Sequence, residues 1–231
     1  MILNLKGRLR LIADKVPKCN TVADIGTDHA YIPIYLVQNG VCRKAIASDI
    51  KIGPVKIANS NISLYKLAEK IETRIGDGLN TIEVGEADSI IIAGMGGTLL
   101  TELLEANKIK VVRATALVLQ PMNDLDIVRK WLYDNAFDIY DEELVAEGPK
   151  FYCVLSAKFS GSKKEYSDFD LHVGQGLINK KDVLLNQYCQ MKVRQIDRVL
   201  EQLEGMEENV VLKNHYSRLK KEYISLMEKI L

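Results

Sequence analysis

Residues 24–30, Asp24-Ile25-Gly26-Thr27-Asp28-His29-Ala30, bring two carboxylates, an imidazole and a glycine into one short run. Such a group can hold a cationic ligand or handle a proton at a reacting atom. The run follows an apolar stretch over 21–25 and precedes a helix-like stretch over 31–39, which makes it a strand-to-helix turn. A dinucleotide-binding turn would carry G-x-G-x-x-G there, so that backbone N–H groups and the helix N-terminus can meet a pyrophosphate. Here Asp28 occupies the second glycine position, and Ala30 stands for the third with one residue less spacing. A carboxylate at Asp28 repels a pyrophosphate. S-adenosylmethionine carries no phosphate, and its ammonium and sulfonium are both attracted to carboxylates, so the loop favours that cofactor over NAD.

Three further groups recur at the ends of apolar runs. Asp49, followed by Ile50, is placed to accept hydrogen bonds from ribose hydroxyls, or it is an ordinary strand-end residue. Asp77, in Gly76-Asp77-Gly78, could receive an adenine amino group. Gly94-Met95-Gly96-Gly97 removes side chains where cofactor and substrate would meet, although a tight turn before a helix also uses glycines. Asp24 either caps and orients its loop or touches the ligand. His29 is one of three histidines, and a lone histidine is more often structural than catalytic.

The elements that must position these residues alternate. Strand signals over 21–25, 44–50, 72–75, 89–93 and 114–119 are separated by helix signals over 31–39, 54–70, 98–106 and 125–135, with a basic helix over 5–16 in front. Repeated β-α units imply parallel strands joined by right-handed crossovers. Two last strands, 137–145 and 151–159, are separated by Glu147-Gly148-Pro149-Lys150, which predicts an antiparallel hairpin. The expected fold is α/β: a Rossmann-like methyltransferase sheet of seven strands whose last hairpin is antiparallel. Residues 160–176 read as a polar linker with some local structure. Two helices over 177–203 and 209–231 follow, their seams formed by Leu185, Cys189, Ile196, Val199 and Leu203, and by Leu212, Tyr216, Leu219, Tyr223, Leu226 and Ile230. Residues 204–208 form the expected turn between them. A catalytic domain over 1–160 and a helical hairpin over 161–231 are therefore expected.

Composition narrows the classes. With 31 basic and 31 acidic residues, no overall field selects a polyanion, though a local basic patch still can. Hydrophobic residues make up 47% of the 231, enough for a sizeable core. The four cysteines are scattered without zinc spacing, so neither a disulfide framework nor a metal is expected, and a reducing cytoplasm fits. The first residues lack the pattern of a signal peptide, and the longest apolar runs are of strand length, so no membrane partner is expected.

Taken together, Asp24-Ile-Gly-Thr-Asp-His-Ala-Tyr31-Ile-Pro33, Ala47-Ser-Asp49, Gly76-Asp-Gly78, Ile92-Ala-Gly-Met-Gly-Gly97 and Leu119-Gln-Pro-Met122 resemble the bacterial TrmK family. That family comprises tRNA (adenine-N1)-methyltransferases acting on adenine 22. The likeness spans the chain, including a helical hairpin that resembles the family's coiled-coil domain. It implies methyl transfer from S-adenosylmethionine to N1 of one adenine in the D-loop region of tRNA. The cofactor site would then comprise Asp24, Gly26, Thr27, Asp28, His29, Asp49, Ile50, Asp77, Gly78, Gly94, Met95 and Gly96, with the Gly94–Gly97 loop and Gln120-Pro121 bordering the base.

For catalysis the candidates are Asp28, to stabilise charge on the methylated base; Tyr31, to stack on it; and Gln120, to hydrogen-bond the adenine edge. Tyr31 reads equally as a helix-start residue packing on the sheet. For RNA, Lys6, Arg8 and Arg10 could meet phosphates from the first helix, or form a solvated face. Lys192, Arg194 and Arg198 are the corresponding candidates on the helical hairpin. The competing readings are an RNA-binding adaptor with a methyltransferase-like fold and an NAD-dependent oxidoreductase. The partner is tRNA, and a monomer is expected.

Overall fold

A computed structural model describes residues 2–205 and 209–230. It divides into two compact units, Met1–Tyr166 and Ser167–Leu231. In the first, seven strands form one sheet in the order β3-β2-β1-β4-β5-β7-β6. They are β1 (Cys19–Ile25), β2 (Cys42–Asp49), β3 (Ile71–Ile75), β4 (Ser89–Met95), β5 (Ala116–Pro121), β6 (Phe137–Glu147) and β7 (Lys150–Phe159). The first five pair in parallel; β7 inserts antiparallel between β5 and β6. The centre of β4, Ile90 to Ile92, is at most 1% exposed, because helices cover both faces of a parallel sheet and leave no solvent side for alternation. The order reverses between β1 and β4, and open α/β sheets bind ligands beyond the strand ends at that crevice.

The helices of this unit are α1 (Gly7–Asp14), α2 (Tyr31–Gln38), α3 (Ile52–Leu64), α4 (Gly97–Ala106), α5 (Lys108–Arg113) and α6 (Leu125–Asp134). Two of them show why they stop. After α2, Gly40 at φ 64° lets Gly40 N–H reach Val37 O and Val41 N–H reach Leu36 O, a Schellman closure. The same closure ends α3: Lys66 at φ 58° donates to Ser63 O and Leu67 to Ile62 O, each at 3.0 Å. The helix expected over 54–70 is therefore short, and Leu67 packs on the core from beyond the turn. Sequence pattern misses this because lysine, not glycine, takes the left-handed position. The short α5 was not expected either.

One ion pair lies wholly inside. Arg129 Nε on α6 donates to Glu142 Oε1 on β6 at 2.7 Å, and neither side chain has any exposure. The segment after β7 stays with this unit because Tyr166 stacks on Tyr133 at 5.5 Å and donates to Asp134 at 2.7 Å.

The second unit holds α7 (Asp168–Val173), α8 (Gln175–Asn179), α9 (Leu185–Gln202) and α10 (Val210–Ile230). A capping box starts α7: Asp170 N–H donates to Ser167 Oγ, and Ser167 N–H to the Asp170 carboxylate. The single helix expected over 177–203 is broken. Lys181 sits at φ 51°, and Asp182 accepts from Leu184 N–H at 2.9 Å, a local turn that competes with helix continuation. Helices α9 and α10 pack against each other, and the residues they bury include Leu185, Tyr188, Cys189 and Ile196 on α9, with Leu203 just after it, and Leu219, Tyr223 and Leu226 on α10. Leu212, expected in the seam, is exposed. Of the expected turn, residues 206–208 lie outside the described residues.

Candidate functional site

The carboxyl ends of β1 and β4 open into a cavity of about 330 Å³. Asp24, Gly26, Thr27, Asp28, His29 and Tyr31 line it from the β1 side, and Ala93 and Gly94 from the β4 side. Backbone hydrogen bonds fix the β1 turn: Gly26 and Thr27 N–H both donate to Ser48 O on β2 at 2.8 Å. Gly26 takes φ 80°, and a Cβ there would come within 2.4 Å of Met95 Cε, so a side chain is excluded by conformation and by space. The turn closes where Ala30 N–H donates to Thr27 Oγ1 at 3.2 Å. Gly94 takes φ 79° across the cavity. Behind it, Asn123 Oδ1 accepts from Gly97 N–H at 3.1 Å. A Cβ on Gly97 would sit 2.5 Å from Asp124 O, so α4 can start only on glycine there.

The two carboxylates of the loop differ. Asp24 is 6% exposed, and burial pushes its carboxyl up to about 6, against a hydrogen bond with Thr27 that pulls it down. Asp28 is 73% exposed, and its Oδ2 lies 3.0 Å from His29 Nε2. The His29 ring in turn stacks on Tyr31, centroids 5.1 Å apart and planes 10° apart. Asp28, His29 and Tyr31 thus form one chain of contacts along the lining of the cavity.

The remaining cofactor candidates lie beyond this cavity. Asp49 ends β2, with Oδ1 accepting from Lys51 N–H at 2.8 Å, and Ile50 beside it is 61% exposed. Asp77, exposed, precedes a single 3-10 turn that starts at Gly78. Gly78 takes φ 51° and has Leu103 Cδ2 where a Cβ would be. Because β1, β2 and β3 are consecutive neighbours in the sheet, these residues continue the row begun at Gly26. Met95 packs against Gly26, and Gly96 against Asn123.

Two expectations change. Gln120 offers no open amide edge to a base. It has no exposure, its Nε2 donates to Pro121 O at 2.8 Å, and its Oε1 accepts from Arg8 Nη1 at 2.5 Å. Arg8 is not a free phosphate contact on an outer helix face; it lines the cavity itself. Spacing gave no sign of this, because Arg8 and Gln120 are brought together only by α1 docking near β5. Arg10 is engaged too, its Nε 2.8 Å from both Asp14 oxygens and its guanidinium 5.2 Å from the Tyr35 ring. Lys6 is exposed. In the second unit Arg194 and Arg198 are exposed, and Lys192 Nζ lies 5.4 Å from the Tyr188 ring.

Sequence spacing also gave no sign of a cluster in the second unit. Ligand atoms of Asp168, His172 and His215 lie within 4.8 Å of one another, and Arg218 Nη2 donates to the same Asp168 at 2.7 Å.

Comparison with known proteins fits this site. A methyltransferase-domain family model matches residues 5–155. The tRNA (adenine(22)-N(1))-methyltransferase of Bacillus subtilis is 40% identical over 172 residues, covering 74% of this chain and 72% of that protein. The crystal structure of the B. subtilis m1A22 tRNA methyltransferase TrmK superposes with a TM-score of 0.81 at 32% identity, covering 99% of this chain and 97% of that one. A Streptococcus pneumoniae protein solved in complex with S-adenosyl-L-methionine gives a TM-score of 0.86 at 31% identity, covering 98% of this chain and 100% of that one.

Proposed function

The chain belongs to the TrmK family of tRNA (adenine(22)-N(1))-methyltransferases, and from that premise we propose that it transfers a methyl group from S-adenosylmethionine to N1 of adenine 22 in tRNA. The observation that carries the reading is the cavity at β1 and β4, where a buried carboxylate at Asp24 and an exposed one at Asp28 stand where a dinucleotide's pyrophosphate would need to lie. Those charges suit the cationic end of this cofactor, and the positive-φ glycines Gly26 and Gly94 leave the backbone open to it. An oxidoreductase reading gains nothing from such a loop.

When bound, the cofactor supplies an electrophilic methyl on a sulfonium. Among the chain's own residues, Asp24, Gly26, Thr27 and Gly94 hold its amino-acid side, while Asp49, Ile50, Asp77 and Gly78 meet its ribose and adenine. N1 of adenine is a poor nucleophile whose lone pair is engaged in pairing or solvent, so the base must reach the cavity unpaired or flipped out. Tyr31, its ring held by His29, offers a surface for that base. Asp28 lies at the mouth, where it can stabilise the positive charge that methylation leaves on the ring. Gln120, buried and bonded to Arg8, takes no part in holding the base.

The helical second unit would grip the folded tRNA through the exposed Arg194 and Arg198, with Lys192 beside them, and Lys6 would meet phosphate from the first unit. The enzyme works as a monomer in the cytoplasm, where its substrate is. Among the described residues no helix is long and apolar enough to cross a membrane. The deciding experiment incubates the protein with labelled S-adenosylmethionine and unmodified tRNA, then maps the modified nucleotide. Label at N1 of adenine 22 is expected; label elsewhere, or none, overturns the proposal.

A further inference from the structure

The chain has three histidines, and two of them, His172 on α7 and His215 on α10, meet in the second unit. Their ring centroids lie 5.8 Å apart. Asp168, one turn before His172, sits against both: its Oδ1 is 3.9 Å from His172 Nε2 and its Oδ2 is 3.5 Å from His215 Nδ1. The i, i+4 spacing of Asp168 and His172 projects both side chains from one face of α7. One ligand atom from each of the three residues falls within 4.8 Å of the others. Around a tetrahedral zinc ion, donors at about 2.0–2.1 Å from the metal stand about 3.4 Å apart. The gaps here exceed that by no more than about 1.4 Å, a distance that side-chain rotation covers.

The scaffold beneath the donors is built without them. Tyr223 O–H on α10 donates to His172 O at 3.2 Å, and the Phe169 ring meets the Tyr223 ring edge-on at 5.0 Å. Arg218 Nη2 donates to Asp168 Oδ2 at 2.7 Å, which leaves Oδ1, on the His172 side, for an ion. The guanidinium then fixes the carboxylate from outside, as outer-shell partners of metal ligands do. Asp168 is exposed and both histidines are half-buried, so an ion can enter from solvent and keep water at its remaining positions. Two imidazoles with one carboxylate suit a transition metal ion, and not magnesium or calcium, which take oxygen donors throughout. We propose that Asp168, His172 and His215 form a binding site for a divalent transition metal ion of the zinc class, and that the ion staples α7 to α10. This departs from the expectation, drawn from the scattered cysteines, that the chain holds no metal, and it stands apart from the methyl-transfer reading.

The test titrates Zn²⁺ and, separately, Mg²⁺ into the chelator-treated full chain by calorimetry, and follows urea unfolding with and without Zn²⁺. One tight Zn²⁺ per chain is expected, with no heat from Mg²⁺ at the same concentration. Asp168→Asn, His172→Gln and His215→Gln should each weaken Zn²⁺ by more than the roughly 10- to 100-fold that loss of an outer-shell partner costs. The urea midpoint of the unaltered chain should rise with Zn²⁺, because an ion that binds only the folded state stabilises it, and the rise should vanish in the variants. All three side chains are at least 25% exposed, so the substitutions leave the core intact, and unfolding curves in chelator check that each variant is folded. Equal Zn²⁺ affinity in the variants would place the ion elsewhere and overturn the inference. So would equal heat from Mg²⁺, or no Zn²⁺ binding by the unaltered chain. Binding without a rise in the midpoint would refute the staple.

Discussion

Among the described residues of the first unit two carboxylates are buried, and they are treated in opposite ways. Glu142 shares its burial with Arg129, and the pair has no exposure at all. Asp24 is buried beside a hydroxyl, with no cation in a salt bridge among the described residues. A buried charge that is paired belongs to the scaffold. One left without a counter-charge, in a cavity at the sheet's switch point, is where the protein holds a place for something else.

The comparison can be broken or sharpened by substitution. The largest effect is expected from Arg129→Ala, which takes the buried cation away from the buried Glu142. It should destabilise the fold by about 3–5 kcal/mol in urea unfolding, with part of that recovered in an Arg129→Met, Glu142→Leu double variant. A loss no larger than a surface substitution's would erase the contrast.

Asp24 should give a pH signature of the opposite kind. Its carboxyl titrates near 6 in the folded state and near 3.8 otherwise, so the folded protein keeps the proton longer. Stability should therefore fall as pH rises from about 4 to about 6, by about 3 kcal/mol, and stay lost above that window. Asp24→Asn should remove this slope. Unfolding curves at stepped pH check it, and a slope that persists in the variant would reassign it.

Behind the cavity, Gly97→Ala forces a Cβ against the carbonyls of Asn123 and Asp124. A melting curve should report a loss of about 1–3 kcal/mol. The smallest effect belongs to the partly exposed cluster of the second unit. Asp168→Asn releases Arg218 and two histidines, yet should cost under about 1 kcal/mol in denaturant unfolding, because solvent screens such pairs.

What the sequence could disclose followed from locality. The β1 turn, the hairpin and the alternation of strands and helices are written in neighbouring residues, and the seven-stranded sheet has the expected reversed edge. The loops at the ends of β1 and β4 meet because topology brings parallel strand ends together. Lys66 and Lys181 hid their turns because a lysine at positive φ carries no compositional mark. Arg8 and Gln120 were assigned to RNA and to the base, since nothing in their spacing of 112 positions shows that one side chain grips the other.

The seat of α1 has a consequence for how the protein is made. Helix α1 precedes in the chain several of the residues that fasten it: Glu147 for Arg8, and Asp141 and Glu143 for Lys15. A nascent chain that has emerged only through β5 already possesses every parallel strand, but α1 still lacks these anchors. The seating of α1 should therefore be completed only once the antiparallel hairpin clears the ribosome.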